Sequence, residues 1–329
     1  MAKPKTKVNR HVKGTFLFLG AFALLTGVIF FIFSYGLQTN TISQFPVGVD
    51  PKQKIIVENP VMNLYAKEHL SLNTKKPRQL NISGETITKN SKPDWQNQLA
   101  TPTGKVLVIY PGERREEIVK NFGDILRWDN EERKIFSDSI TEDFPELENG
   151  KFFPGKYVVH YAASPEEVAN LVKNKFNKKI LDHYNEEVAS LVPFNDALII
   201  ASLLEREAYD FNDMRYISGI IWNRLFVDMP LQLDATLQYA KGSRTYEPAW
   251  WPRILPADKY IDSPFNTYKN KGLPPEAIAN PSTEAMVAAL NPRKTDCMFY
   301  FHDSNAGFHC SVTYKEHVAS LRKIYGRGK

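Results

Sequence analysis

The sequence predicts an α+β protein: a single N-terminal transmembrane helix, then a small α+β subdomain, then a mixed α/β domain. Three observations predict it. One uncharged apolar run near the N-terminus is long enough to cross a bilayer, and no comparable run follows. Strand–turn–helix patterns occur at residues 106–122 and again at 156–176. Residues 195–241 then carry apolar residues at the spacing of helices packed on most sides. A chain of 329 residues with 43% hydrophobic and 24% charged content has the ordinary makeup of a globular protein with a real core.

The first thirteen residues hold Lys3, Lys5, Lys7, Arg10 and Lys13 and no acid. Removing those five from 42 basic residues leaves 37 against 37 acidic, so the tail accounts for the whole net charge of +5. A formally neutral body excludes a nucleic-acid-binding protein built on a basic face. Residues 15–35 contain no charge and would span about 31 Å as a helix. Ile29 and Phe33 keep this run bulky to its end, unlike the small residues of a signal-peptide cleavage site. The expectation is therefore a basic cytoplasmic tail at 1–14, a single membrane span at 15–35, and an extracytoplasmic remainder.

Residues 36–103 are rich in Asn, Ser, Thr, Lys, Gln and Pro and read as an extracytoplasmic spacer or small module, with short strands at 55–57 and 61–65. From 104 to 176 the pattern sharpens. A strand at 106–110 leads through Pro111 and Gly112 into a helix at 113–122, and another helix is expected at 131–140. A strand at 156–161 is followed by Ser164, Pro165 and Glu167, an N-cap, an N1 proline and a capping-box partner for a helix through Phe176.

The stretch N-D-A-L-I-I-A-S-L-L-E-R-E-A begins with Asn195 and Asp196, either of which offers a helix cap. Glu205 follows Leu203 and Leu204 near the helix C-terminus. Apolar neighbours and the negative end of the helix dipole both disfavour an anion there, which suits a general acid. A helix-end glutamate turned to solvent fits the same pattern. Glu207, two positions on, points to another face and is the better candidate for that solvated role.

Five strings stand together in the chain: A-S-L-L-E-R-E-A, W-N-R-L, L-Q-L-D-A-T-L-Q-Y, S-P-F-N-T-Y and G-L-P-P-E-A-I-A-N-P. In order and spacing they resemble the endolytic peptidoglycan transglycosylases (YceG-like, MltG), over roughly residues 104–325. The resemblance implies a LysM-like subdomain at 104–176, including F-F-P-G-K-Y, and a catalytic domain at 177–329. It places the catalytic glutamate on Glu205 and makes Gln232, Asp234, Thr236, Asn266 and Tyr268 substrate-binding candidates. Phe265 departs from the tyrosine more usual in the family, a loss of one hydroxyl. Arg224 in W-N-R-L is read as structural. The implied activity cuts the MurNAc–GlcNAc bond of peptidoglycan glycan strands and forms 1,6-anhydro-MurNAc ends, with no cofactor and no metal. The implied setting is the cytoplasmic (inner) membrane, with peptidoglycan synthases as partners and no nucleic acid. Two rival readings remain: a hydrolase using Asp234 as second carboxylate, and a non-catalytic glycan-binding scaffold of the cell-wall machinery.

Cys297 and Cys310 flank a hairpin expected to turn near residues 304–307. With Asp303 paired to Phe308, Cys310 faces Phe301, and a straight strand leaves Cys297 roughly 13 Å away, so two buried free thiols are expected. His302 and His309 would then be cross-strand neighbours, but no H-E-x-x-H or paired C-x-x-C accompanies them and a zinc site is not expected.

Overall fold

The computed structural model describes residues 44–62, 65–66, 70, 104–142, 149–242 and 249–326. Gln44–Lys329 form one compact unit of mixed α+β structure. The expected span at 15–35 lies outside the described residues. Among the described residues no helix is long and apolar enough to cross a membrane.

Strands β1 (Val49–Asp50) and β2 (Ile55–Ile56) form a small antiparallel hairpin. It is fastened to the body: the Phe45 N–H donates to His183 O and the Gly48 N–H to Leu290 O, both at 2.8 Å. Residues 44–62, read from sequence as part of a spacer, thus pack on the main unit. Met62 and Tyr65, expected in a strand, are helical, and the Tyr65 N–H donates to Val61 O at 2.9 Å. Their spacing puts both on one buried side, as a helical turn allows and an alternating strand does not.

A β-α-α-β-α unit follows, its elements close to the expected bounds. Strand β3 (Gly104–Ile109) pairs antiparallel with β4 (Gly155–His160). Alternation buries Leu107, Ile109, Tyr157 and Val159 on one face and leaves His160 exposed on the other. Helices α1 (Arg115–Leu126), α2 (Asn130–Thr141) and α3 (Pro165–Lys179) close over that face. Phe136 from α2 is the centre of the core, with Trp128, Phe122 and Phe152 rings 5.3, 5.4 and 5.8 Å away. The Ser164 hydroxyl accepts the Glu167 N–H and the Glu167 carboxylate accepts the Ser164 N–H, which is the capping box expected from S-P-E-E.

The remaining layer is helical: α4 (Glu186–Leu191), α5 (Phe194–Glu207), α6 (Phe211–Phe226), α7 (Asp234–Gly242) and α8 (Thr283–Leu290). Helix α5 is buried on all sides from Ala197 to Glu205, packed between α6 and α8. It starts directly after Pro193, so Asn195 and Asp196 lie inside its first turn and neither caps it. Proline at that boundary has no N–H to satisfy, which removes part of the need for a side-chain cap. Gly219 lets α6 approach the irregular segment at Arg293; a Cβ there would lie 2.3 Å from Arg293 O.

Strands β5 (Phe299–His302) and β6 (Phe308–Ser311) form the last hairpin, followed by α9 (Tyr314–Tyr325). Its turn falls where expected, but the register pairs His302 with Phe308 and Tyr300 with Cys310. Cys297 and Cys310 form a disulfide, with Cα atoms 5.8 Å apart, and are not the free thiols expected. The straight-strand extrapolation fails because Cys297 precedes β5 in an irregular segment. There the Cys297 N–H donates to the Thr295 hydroxyl, and Asn223 Nδ2 holds the Thr295 and Cys297 carbonyls. This bend returns Cys297 to the hairpin.

Candidate active site

Two glutamates leave the C-terminal turn of α5 about 200° apart around the helix, so they face opposite ways. Glu205 turns inward and is 6% exposed. Its Oε2 accepts the Ser282 N–H at 3.0 Å and the Ser282 hydroxyl at 2.7 Å. Ser282 is also the N-cap of α8 and accepts the Ala285 N–H. Glu205 therefore ties the end of α5 to the start of α8.

Glu207, expected to be the solvated one, is instead covered by two elements remote in sequence. Its Oε2 accepts the Tyr300 hydroxyl of β5 at 2.8 Å, and its Oε1 faces the Ala235 N–H of α7 at 3.4 Å. Burial raises this carboxyl above the ordinary carboxylate range, and the charge of Asp234 adds to the effect. The two donors and His302 act the other way. Helix periodicity alone could not show what covers that face.

Asp234, the first residue of α7, accepts the Tyr268 hydroxyl at 2.7 Å and is otherwise open to solvent. Burial raises the Tyr268 hydroxyl well above its usual range, with Asp234 and Glu207 contributing. Asp234, Tyr268, Glu207 and Tyr300 are thus one polar cluster. Gln232 stands beside it with an exposed side chain and a left-handed backbone (φ 52°), its N–H held by Thr267 O at 3.0 Å.

Two of the expected substrate residues are scaffold. Thr236 is fully buried and its hydroxyl contacts Leu233 O at 2.7 Å and the Thr267 hydroxyl at 2.9 Å. Asn266 is equally buried; its Nδ2 donates to the Lys259 and Ile261 carbonyls at 3.0 and 2.8 Å, and its Oδ1 accepts the Tyr268 N–H. They shape the loop that carries Tyr268. Arg224 is structural as expected, binding the Met298, Pro230 and Leu231 carbonyls. Phe265 packs against Tyr239, ring centroids 4.6 Å apart and planes tilted by 52°.

Tyr300, His302 and Asp213 were missed as site residues by sequence reasoning, whose nearest signal was the F-Y-F-H strand. The buried Asp213 Oδ2 takes the Tyr209 N–H and the His302 Nε2, each at 2.8 Å. His302 shares a strand face with Tyr300, their rings 6.2 Å apart. The two hairpin histidines are not the cross-strand neighbours expected: His309 pairs with Asp303 at 2.7 Å and stacks on Phe301, one register step away. Among the described residues no group of three or more metal-binding side chains gathers.

A model of the YceG-like family matches residues 52–323 of the chain. The chain belongs to the YceG-like family. A Bacillus subtilis (strain 168) protein named endolytic murein transglycosylase is 34% identical over 200 residues, which cover 59% of this YceG-like chain and 54% of that one. A Streptococcus pneumoniae serotype 2 protein of the same name is 31% identical over 158 residues, covering 48% and 28% of the two chains. The match therefore spans about half of the Bacillus relative and less of the pneumococcal one. A crystal structure of a yceG-like protein from Listeria monocytogenes aligns with a TM-score of 0.55 at 26% identity, over 69% of this chain and 79% of that one.

In this YceG-like chain the β3–α1 turn lies against the end of α5. Gly112 (φ 84°) allows the approach; a Cβ there would meet Arg206 at 3.3 Å and Glu205 at 3.6 Å. The same turn holds Glu113, whose carboxyl accepts the Tyr110 N–H at 2.8 Å. Burial raises Glu113 from the ordinary 4.5 to about 7. The folded chain thus keeps a proton that the unfolded chain has released, and this group costs stability as pH rises through the window from 4.5 to about 7. Glu113→Gln retains an acceptor for Tyr110 and removes the titration. Thermal denaturation should show the variant gaining on the wild type across that window, reaching about 1 kcal/mol, or about 2–4 °C, at pH 8 after allowance for solvent screening. A stability difference that does not change with pH would contradict this.

Proposed function

We propose that this YceG-like chain is a membrane-anchored endolytic murein transglycosylase. On this reading it cleaves the MurNAc–GlcNAc bond within peptidoglycan strands and leaves 1,6-anhydro-MurNAc ends. The observation that carries it is the Glu207 carboxyl, raised by burial, hydrogen-bonded to Tyr300 and set beside Asp234 and Tyr268. A carboxyl held toward its protonated form can give a proton to the glycosidic oxygen as the C1–O bond breaks. The resulting carboxylate keeps the Tyr300 hydroxyl and the Ala235 N–H as donors. It then takes the proton from the muramic C6 hydroxyl as O6 closes on C1. One bond breaks, one forms, the proton is returned, and neither water nor a cofactor is consumed. Asp234 and Tyr268 would orient the sugar and favour its developing positive charge.

The family resemblance points to Glu205 as the acid. The geometry favours Glu207, because Glu205 faces the protein interior and its Oε2 is held by Ser282 at the start of α8. The β-α-α-β-α unit is the proposed LysM-like, glycan-holding part, and the helical layer with the last hairpin is the catalytic part. The basic tail and apolar run at 15–35 support a single-pass anchor in the cytoplasmic membrane with the body outside. A disulfide in the body fits that oxidising side. Peptidoglycan synthases are the proposed partners.

Asp234 keeps a two-carboxylate hydrolase as the rival, since it is solvent-open beside Glu207. Mass spectrometry of a glycan digest made in oxygen-18 water separates the two. The transglycosylase should yield anhydro ends, lighter by one water and unlabelled. Reducing ends carrying the heavy oxygen as the main product would reject the assignment.

A further inference from the structure

Resting on that reading, we infer that Lys259 and Tyr260 form an outer subsite that takes a peptide-bearing sugar of the strand. Tyr260 stacks on the sugar face and Lys259 pairs with a carboxylate of the peptide stem. The 3-10 turn Pro256–Tyr260 carries both residues, and Lys259 reaches from it over Tyr268 of the polar cluster. Tyr260 is 82% exposed, more than any other large hydrophobic residue described. A side chain exposed on that scale buries little apolar surface on folding, yet hydrogen bonds hold the backbone on both sides of it.

The fully buried Asn266 amide donates to the carbonyls on either side of Tyr260, those of Lys259 and Ile261. Asp258 accepts the Leu255 N–H at 2.7 Å and pairs with Lys241 at 3.2 Å, and the Ile261 N–H returns to Asp258 O. A flat aromatic face on a rigid backbone loses little entropy when a sugar ring stacks on it.

Lys259 supplies the charge. Its Nζ lies 4.9 Å from the centre of the Tyr268 ring, whose hydroxyl binds Asp234. It makes no ion pair among the described residues, whereas nearby Lys269 and Lys241 are paired with Asp262 and Asp258. A glycan stripped of its stems still offers this ammonium the lactyl carboxylate held against each MurNAc ring; once that group is amidated, only neutral hydroxyls and amides remain. The stem peptides of peptidoglycan offer carboxylates, so the subsite distinguishes strands that carry stems from stem-free strands whose lactyl groups are neutral.

The test uses the full chain with Glu207→Gln, so that strands bind without being cut. Its probes are labelled uncross-linked glycan strands and the same strands stripped of their stems by an amidase and then amidated at the freed lactyl carboxylates. Binding should favour stem-bearing strands about fivefold at low salt, a preference that fades as salt rises. Adding Lys259→Ala should bring the two affinities within about twofold, and Lys259→Arg should keep the preference. Tyr260→Ala should weaken both strand types by a similar factor of about five. Both side chains are exposed, so unchanged melting temperatures should accompany these losses. A preference that survives Lys259→Ala, an unaltered affinity in Tyr260→Ala, or no binding of either strand would overturn the subsite. Binding with these properties but no cleavage by the wild type would count against the transglycosylase reading alone.

Discussion

Replacing Glu207 by glutamine should lower glycan-strand cleavage about 10²–10⁴-fold while leaving the fold intact. The amide keeps the volume and an acceptor for the Tyr300 hydroxyl, but it has no proton to give. Glu205→Gln should behave differently. Its carboxylate joins α5 to the N-cap of α8 through the Ser282 N–H and hydroxyl, so a change there strains the packing of both helices. Glu205→Ala leaves that buried N–H without its acceptor and should cost about 1–3 kcal/mol in stability, read by thermal denaturation. Residual activity of Glu205→Gln should stay within about tenfold of wild type once measured below its melting range, well short of the loss expected for an acid. Tyr300→Phe gives a further readout. The hydroxyl favours the Glu207 anion, so its loss should move the alkaline limb of the rate–pH profile to higher pH. An active Glu207→Gln beside an inactive, stable Glu205→Gln would return the acid to Glu205.

Removing the Cys297–Cys310 disulfide, by paired alanine substitution or by reduction, should cost about 2–4 kcal/mol. The bridge closes a loop of sequence separation 13, and that loop contains all of β5, the turn and β6 up to Cys310. Tyr300 lies in this loop, paired in register with Cys310 itself. Loss of the bridge should therefore also lower glycan cleavage, because the donor to Glu207 is less firmly placed. Calorimetry with and without reductant, beside a thiol titration, measures the first effect. An unchanged melting temperature in protein whose two thiols have become titratable would refute it.

Much of this molecule was decided by local pattern. The S-P-E-E capping box, the alternation in β3 and β4, the helices at 115–126 and 130–141 and the hairpin turn at Ser304 all follow from contacts between residues close in sequence. Such contacts are determined by spacing and residue type, so they can be read without knowing what packs on top. The string of motifs from A-S-L-L-E-R-E-A to A-N-P likewise marked the YceG-like family in advance. What the tertiary structure alone decided lay between distant elements. Glu205 and Glu207 sit on opposite faces of one helix, and only the arrival of α8 on one side and of Tyr300 and α7 on the other separates a tie from the proposed acid. Thr236 and Asn266 have polar side chains in loop-rich motifs, yet the fold buries both: Thr236 meets the Thr267 hydroxyl 31 residues on, and Asn266 turns its amide back onto the Lys259 and Ile261 carbonyls. The cysteines were misjudged for the same reason: a bend of a few ångströms ahead of β5, held by Asn223 from another helix, turns an unreachable pair into a bonded one. Periodicity says which way a side chain points, but the neighbour it meets, and so its charge state and its chemistry, depends on long-range packing.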